Sequence, residues 1–170
     1  HEGDVMKKIL FSFFFLLVLV GVAYYIFDKL FPVKYSNYVE EAAKKYDLDP
    51  ALIYSIIKTE SNFRSDVKSH KEAHGLMQLL PSTAEWIAKK EKVKKYDLSN
   101  PRDNIMLGSA YFKYLLTKTD GDIEKAWIAY NAGIGRLKNE KWKKISETTN
   151  YVQKLNFVYP IYKFRLKHNI

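Results

Sequence analysis

The sequence predicts an all-α domain behind a single apolar N-terminal helix, and three observations carry that expectation. An uncharged run fills residues 9–27, apolar side chains recur at helical spacing through nearly all of the remainder, and no segment alternates apolar with polar residues as a half-buried strand does. No internal repeat is evident.

The first element is the run ILFSFFFLLVLVGVAYYIF, Ile9 to Phe27, in which only Ser12 is mildly polar. At the rise of an α-helix its 19 residues reach about 28 Å, close to the hydrocarbon thickness of a bilayer, so it is expected to span a membrane. Lys7 and Lys8 precede it, Asp28 and Lys29 follow it, and Tyr24 and Tyr25 suit an interfacial belt. Two other readings compete. A cleaved signal peptide would use the small Gly21 and Ala23, but the apolar run continues past Ala23; a buried soluble helix would need a polar face, and none is present.

These features divide the chain into a tag remnant and short cytoplasmic N-terminus at residues 1–8, an anchor at 9–27, a linker containing Pro32 at 28–35 and a folded domain at 36–170. His1 to Val5, ahead of Met6, read as the vector remnant. The linker is short enough to keep the domain near the membrane surface. Flanking cations barely set the orientation, because Lys29 and Lys34 offset Lys7 and Lys8. The N-terminus is expected inside and the domain outside, mainly on the functional grounds below.

Within the domain, Tyr35, Tyr38, Val39, Ala42, Ala43 and Tyr46 form one amphipathic stripe. Asp49-Pro50 then supplies an N-cap and a first-turn proline for the helix ALIYSIIKTES, and Pro81-Ser82-Thr83 opens another through about Glu91. Asn100-Pro101 repeats the cap-and-proline signature ahead of a longer helix with Ile105, Gly108, Tyr111, Phe112 and Leu115 in register. Gly121-Asp122 opens a helix striped by Ile123, Ala126, Trp127 and Tyr130, and Gly133 and Gly135 end it. A last helix is expected over Thr148–Lys167, kinked or interrupted at Pro160.

With 170 residues, 47% of them hydrophobic, the chain suffices for one compact domain. The net charge of +9 belongs to that domain, because residues 1–33 carry equal numbers of acidic and basic side chains. Such a surface suits a polyanion: nucleic acid, anionic lipid or an acidic wall polymer. The run Lys89 to Lys95 reads as a solvated face that could also hold such a polymer. The absence of cysteine excludes disulfides, thiolate catalysis and cysteine-ligated zinc.

Candidate chemistry begins at Glu60. It occupies the next position of the stripe Ile53, Ile56, Ile57, so a carboxylate points along an apolar face. Desolvation raises a carboxyl pKa toward that of a general acid working near neutrality. At a frayed helix end the same residue would reach into solvent, and periodicity alone leaves both readings open. Ser61 and Asn62 beside it offer hydrogen bonds. In GLMQLLPSTA, Gly75 permits close backbone approach, Met77 offers a pliable wall and Gln78 a polar group, though the segment also reads as a plain turn into the core. In AYNAG, Tyr130 and Asn131 sit at a helix end where they could bond a sugar, or serve as a core tyrosine and a cap.

Glu60-Ser61, Gly75 to Gln78, Ala129 to Gly133, and Glu147-Thr148 followed by Tyr151-Val152 together resemble, in order and spacing, the lytic transglycosylase catalytic domain, itself similar to goose-type lysozyme. The resemblance covers about residues 36–165. It implies a lysozyme-like helical fold that cleaves the β-1,4 bond between N-acetylmuramic acid and N-acetylglucosamine in peptidoglycan, with no cofactor and no metal. By motif, Glu60 is the single catalytic acid and Ser61 helps hold it. Met77, Gln78, Tyr130 and Asn131 line the sugar cleft, while Glu147 and Tyr151 complete its far wall.

Most glycosidases place two carboxylates across the scissile bond. The resemblance implies instead that the substrate's acetamido group supports the charge at C1 while Glu60 acts as acid and then as base on the muramyl 6-hydroxyl, giving a 1,6-anhydro sugar. Glu147, and less so Asp66, are the remaining candidates for a second carboxylate. One departure stands out: SHKEAHGLMQ carries Glu72 where the family has glycine, which is expected to reshape the loop and affect substrate preference. His70 and His74 stand at i, i+4, but the segment leads into a glycine turn and no further ligand is evident, so no metal is expected.

The expected partners are peptidoglycan strands, the membrane through residues 9–27 and envelope-assembly proteins, not nucleic acid. A goose-type hydrolase of the same bond and a catalytically inactive glycan-binding scaffold are the alternatives.

Overall fold

The computed structural model describes residues 2–170, so that His1 of the expected tag remnant lies outside the described residues. Residues up to Lys34 and those from Tyr35 to Ile170 form two separate units. The first is one α-helix, α1, Glu2–Leu30. It extends past the uncharged run at both ends, and its apolar side chains are exposed along its length. By length and composition it is able to cross a membrane.

The regular elements of the second unit are helices, with two isolated bridges, Lys68 to His74 and His74 to Leu79, as its β-like pairings among the described residues. Its helices are α2 Ser36–Tyr46, α3 Pro50–Ser61, α4 Pro81–Lys90, α5 Pro101–Lys118, α6 Ile123–Ala132, the short α7 Ile134–Lys138 and α8 Ser146–His168, with a single 3-10 turn at Lys141–Lys144. Helix starts follow the sequence signals. Asp49 accepts a hydrogen bond from the Ala51 amide, Asn100 from those of Arg102 and Asp103, and Asp122 from that of Lys125, and Pro50 and Pro101 stand in the first turns of their helices.

α3 runs through the middle of the domain and packs mainly on α8, while α5 joins α2, α4 and α6. Ile53, Ile56 and Ile57 are fully buried, each worth about 2–3 kcal/mol of transfer free energy. Tyr54 stacks on Tyr162 of α8 with ring centroids 5.4 Å apart, and Phe63 adds a third ring at 6.4 Å from Tyr162.

Three expectations change. α8 runs unbroken through Pro160, because Pro160 and Asn156, whose carbonyl the missing N–H would have paired, both lie on the exposed face where water can serve that oxygen. α7 and the 3-10 turn follow Gly133 without an apolar repeat to announce them. Gly135 lies inside α7 rather than ending α6.

Candidate active site

Glu60 sits in the last turn of α3, two residues before the helix ends at Asn62 in the left-handed conformation with φ 51°. The apolar stripe that buries Ile56 and Ile57 carries it to the floor of a cleft of about 330 Å³. Gln78, Tyr130, Asn131 and Glu147 line the same cleft, together with Lys71 from the loop between α3 and α4. Side chains as much as 87 residues apart in sequence thus meet around one carboxyl.

Burial pushes the Glu60 carboxyl up to about 7; the nearby Tyr151 hydroxyl pulls it down in part, and the negative charge of Glu147 pushes it further up. Tyr151 is buried and its hydroxyl closes no hydrogen bond of ordinary length, so it stands near Glu60 without being committed to it. Burial and the Glu60 charge also hold the phenols of Tyr130 and Tyr151 well above their ordinary pKa, so both remain neutral donors beside the acid.

The surrounding residues fix one another. The Tyr130 hydroxyl donates to the Met77 carbonyl at 2.8 Å, tying the end of α6 to the loop. The Thr148 hydroxyl donates to Asn131 Oδ1 at 2.7 Å, which holds the amide and leaves its NH₂ uncommitted. Gln78 uses its own NH₂ on Val67 and Gly75 carbonyls at 3.0 and 2.9 Å. Lys71 reaches Glu147 at 2.8 Å, an ion pair between the loop and the start of α8, with both groups exposed. Such a pair is worth little in stability but sets the charge at the cleft rim.

The loop itself hangs on Asn104 of α5, which is fully buried. Its Oδ1 accepts from the Met77 amide at 2.8 Å, and its Nδ2 donates to the His74 and Leu98 carbonyls, each at 2.9 Å. Gly75, at φ 75°, lies so near this amide that a Cβ would stand 2.6 Å from the Leu98 oxygen; glycine is required there by both backbone and space.

Two expected contacts are corrected. Ser61 is buried and donates its hydroxyl to the Ile57 carbonyl at 3.1 Å, the usual outlet for a serine inside a helix, so it does not bond Glu60. Met77 is fully buried against Gly108, where a Cβ would meet its sulfur at 2.5 Å; only its backbone serves the cleft. Glu72 is exposed at φ 62° and pairs with Lys68, so its charge points to solvent, and the backbone explains why glycine suits this position. Asp66 is exposed and stands apart from the cleft lining.

Sequence reasoning assigned no part to Asn104, Thr148 or Lys71. Asn104 was detectable as an amide directly beside the apolar register of α5; Thr148 stood inside a quoted motif with no role given. Lys71 offered no signal, since one more lysine in a basic chain is unremarked.

Comparison with known proteins bears on the whole arrangement. Residues 37–153 match the family described as Transglycosylase SLT domain. The soluble lytic murein transglycosylase of Salmonella typhimurium is 31% identical over 115 residues, covering 65% of this chain and 18% of that protein. Membrane-bound lytic murein transglycosylase C of Klebsiella pneumoniae is 33% identical over 116 residues, covering 61% of this chain and 32% of that protein. Lytic transglycosylase Slt from Pseudomonas aeruginosa, solved as an inactive glutamate-to-glutamine mutant, superposes with TM-score 0.75 at 31% identity over 81% of this chain and 25% of that one. The match therefore spans only 18% and 32% of the length of these two relatives. The match over residues 37–153, on a helical fold shared with a solved lytic transglycosylase, makes this chain a member of the transglycosylase SLT domain family.

Proposed function

We propose that this chain is a membrane-anchored peptidoglycan lytic transglycosylase in which Glu60 serves as the single general acid and base. The observation that carries the reading is a half-buried carboxyl with a pKa of about 7 on the floor of a cleft, flanked by neutral phenols. A group of that pKa holds a proton in the resting state near neutrality and can accept one moments later, as a two-step mechanism with one residue requires.

In the first step Glu60 gives its proton to the glycosidic oxygen. The C1–O bond of N-acetylmuramic acid breaks, the N-acetylglucosamine end departs as an alcohol, and the carbonyl oxygen of the muramyl acetamido group closes on C1. In the second step the Glu60 carboxylate takes the proton of the muramyl 6-hydroxyl as O6 attacks C1 and the acetamido oxygen leaves. The product is the 1,6-anhydro sugar, Glu60 regains its proton and no water is consumed.

Glu147 is poorly suited to a second catalytic role, because it is exposed and engaged by Lys71. In this reading its charge helps raise Glu60, Asn131 and Gln78 bind sugar polar groups, and Tyr130 and Tyr151 keep the acid in a neutral, desolvated setting. Ser61 and Met77 act through packing beneath the site.

Residues 9–27 form the proposed anchor, residues 28–35 the linker and residues 36–170 the catalytic domain outside the cytoplasm. The length and apolarity of α1 and the membrane-bound relative support this. Partners in envelope assembly belong to the same proposal.

The test is digestion of purified peptidoglycan by the full chain and by Glu60→Gln, with muropeptide products weighed by mass spectrometry. Anhydro ends, one water lighter than hydrated ends, and their disappearance in the variant are expected. Predominantly hydrated ends would replace the transglycosylase with a hydrolase, and unchanged lysis by Glu60→Gln would remove Glu60 from the chemistry.

A further inference from the structure

α2, α4 and α5 all end around a concavity of about 350 Å³ that shares no residue with the Glu60 cleft. Tyr46 closes α2, Lys90 closes α4 and Lys118 closes α5, and with Glu91, Lys113 and Tyr114 they line it. Each ammonium there is held by a contact. Lys90 and Lys118 stand over the Tyr114 ring at 5.8 and 5.7 Å, Lys45 over the Tyr46 ring at 4.9 Å, and Lys113 donates to the Asp47 carbonyl at 3.0 Å.

A lysine in a last helical turn complements the dipole of its own helix. That accounts for Lys90 and Lys118 singly, but their meeting at one ring sets like charges side by side, and the nearby carboxylates are engaged elsewhere. Glu91 pairs with Lys45 at 3.9 Å and Asp47 with Lys113 at 3.4 Å. Lys90 and Lys118 take part in no ion pair among the described residues, and neither do Lys92, Lys94 and Lys95, which are exposed on the loop leaving α4. The lysine run noted in the sequence thus extends the charge outward from the rim. An anion of phosphate size would relieve the repulsion, and ammonium groups suit it as point charges.

Chain length selects the source of that anion. Only residues 31–35 separate α1 from α2, a reach of about 18 Å even when fully extended, and α2, about 16 Å long, ends at Tyr46 on the rim. A tether so short presents lipid headgroups at an effective concentration of the order of millimolar, an advantage that free phosphate and unattached polymers lack. We propose that this concavity binds the phosphate headgroups of anionic phospholipids and seats the folded domain on the bilayer that holds α1; the inference rests on the membrane-anchored reading above. Tyr46 and Tyr114, each with an apolar ring and a polar tip, suit the headgroup level as interfacial tyrosines do. Docking of this kind restrains the domain's rotation about its linker.

The experiment reconstitutes the full chain in lipid nanodiscs of phosphatidylcholine alone or with about 30% phosphatidylglycerol, and reads the rate of mild amine acylation at each lysine by mass spectrometry. Lys90, Lys113 and Lys118 are expected to react about threefold or more slowly in the anionic discs, with the difference removed by high salt. Lys138 and Lys144, exposed on α7 and the 3-10 turn, serve as controls and should not change. In the double variant Lys90→Gln, Lys118→Gln, with thermal melting confirming the fold, Lys113 should lose its protection. Inorganic phosphate is added to the phosphatidylcholine discs at the same total phosphate as the anionic lipid, and is expected to protect none of the three. Equal protection by that phosphate assigns the site to a free anion and overturns the lipid. Unchanged rates in anionic discs, slowing of Lys138 and Lys144 to the same degree, or protection of Lys113 that survives in the double variant overturns the docking site while leaving the anchor in place. If the chain does not enter discs of either kind, the membrane-anchored reading falls and this site falls with it.

Discussion

The two ends of α3 each carry a carboxylate, and the two are treated in opposite ways. Asp49, at the N-terminus, accepts from the Ala51 amide at 2.8 Å and the Tyr159 hydroxyl at 3.0 Å, and lies 3.9 Å from the Lys163 ammonium. Negative charge at that end also complements the helix dipole. Glu60, at the C-terminus, is desolvated on the unfavourable end of the same dipole, and the nearby Tyr151 hydroxyl closes no full hydrogen bond. One carboxylate is spent on structure. The other is kept short of partners, which costs stability and preserves a proton to give away.

The largest effect that tests this contrast is the loss of activity in Glu60→Gln, expected to exceed roughly a thousandfold, the scale for removing a general acid. The kinetic readout is release of muropeptides from purified peptidoglycan. The same variant should be more stable than wild type at pH 8. Because burial raises the folded-state pKa of Glu60 above its unfolded value, folding favours the protonated form; wild-type stability is complete below the unfolded pKa and is lost as pH rises toward about 7. Glu60→Gln escapes that loss, so urea titrations should show a gain of about 1–3 kcal/mol at pH 8 that vanishes near pH 4. A variant that is inactive and less stable at pH 8 would mean that Glu60 is structural, like Asp49.

Asp49→Ala is the mirror experiment. It should cost about 1–2 kcal/mol, measured by urea or thermal unfolding, while leaving the pH profile of the folded enzyme in place. A shifted profile would show that the two ends of α3 are coupled.

Smaller and more diagnostic is Tyr151→Phe. The Tyr151 hydroxyl lowers the Glu60 pKa, so removing it should raise that pKa and move the alkaline limb of activity to higher pH. Since that hydroxyl is buried without a full bond, the fold should lose less than about 1 kcal/mol. An acid-ward shift of the limb would contradict the proximity seen here.

Smallest is Glu72→Gly. Glu72 is a third carboxylate, exposed and paired with Lys68, whose burden is its backbone at φ 62°. Glycine there should stabilise by about 0.5–1 kcal/mol in thermal unfolding, the relieved strain exceeding a surface ion pair.

The sequence announced the Asp49 end of α3 fully, because a cap and a first-turn proline are local signals. It announced Glu60 only as an anomaly in a stripe, and the company of Gln78, Tyr130, Asn131 and Glu147 came from motif resemblance rather than periodicity. Ser61 and Met77 show the limit of that resemblance: a motif says which residues travel together, not which way each side chain turns. Ser61 found a carbonyl inside its own helix, and Met77 filled the gap over Gly108. Asn104 and Thr148 escaped because their partners lie 27 and 17 residues away, and side-chain bonds at that range leave no pattern in a linear reading. Pro160 does not interrupt α8, because it lies on the exposed face and exposure decides whether an unpaired carbonyl is costly.

Asn104 has a further consequence. One amide closes three bonds to backbone at His74, Met77 and Leu98, and the wall of the cleft has little regular secondary structure of its own to fall back on. The wall should therefore open as a unit rather than fray. Amide hydrogens along it would exchange together, in step with the breaking of a single side chain's grip, and the lifetime of the binding surface would be the lifetime of that grip.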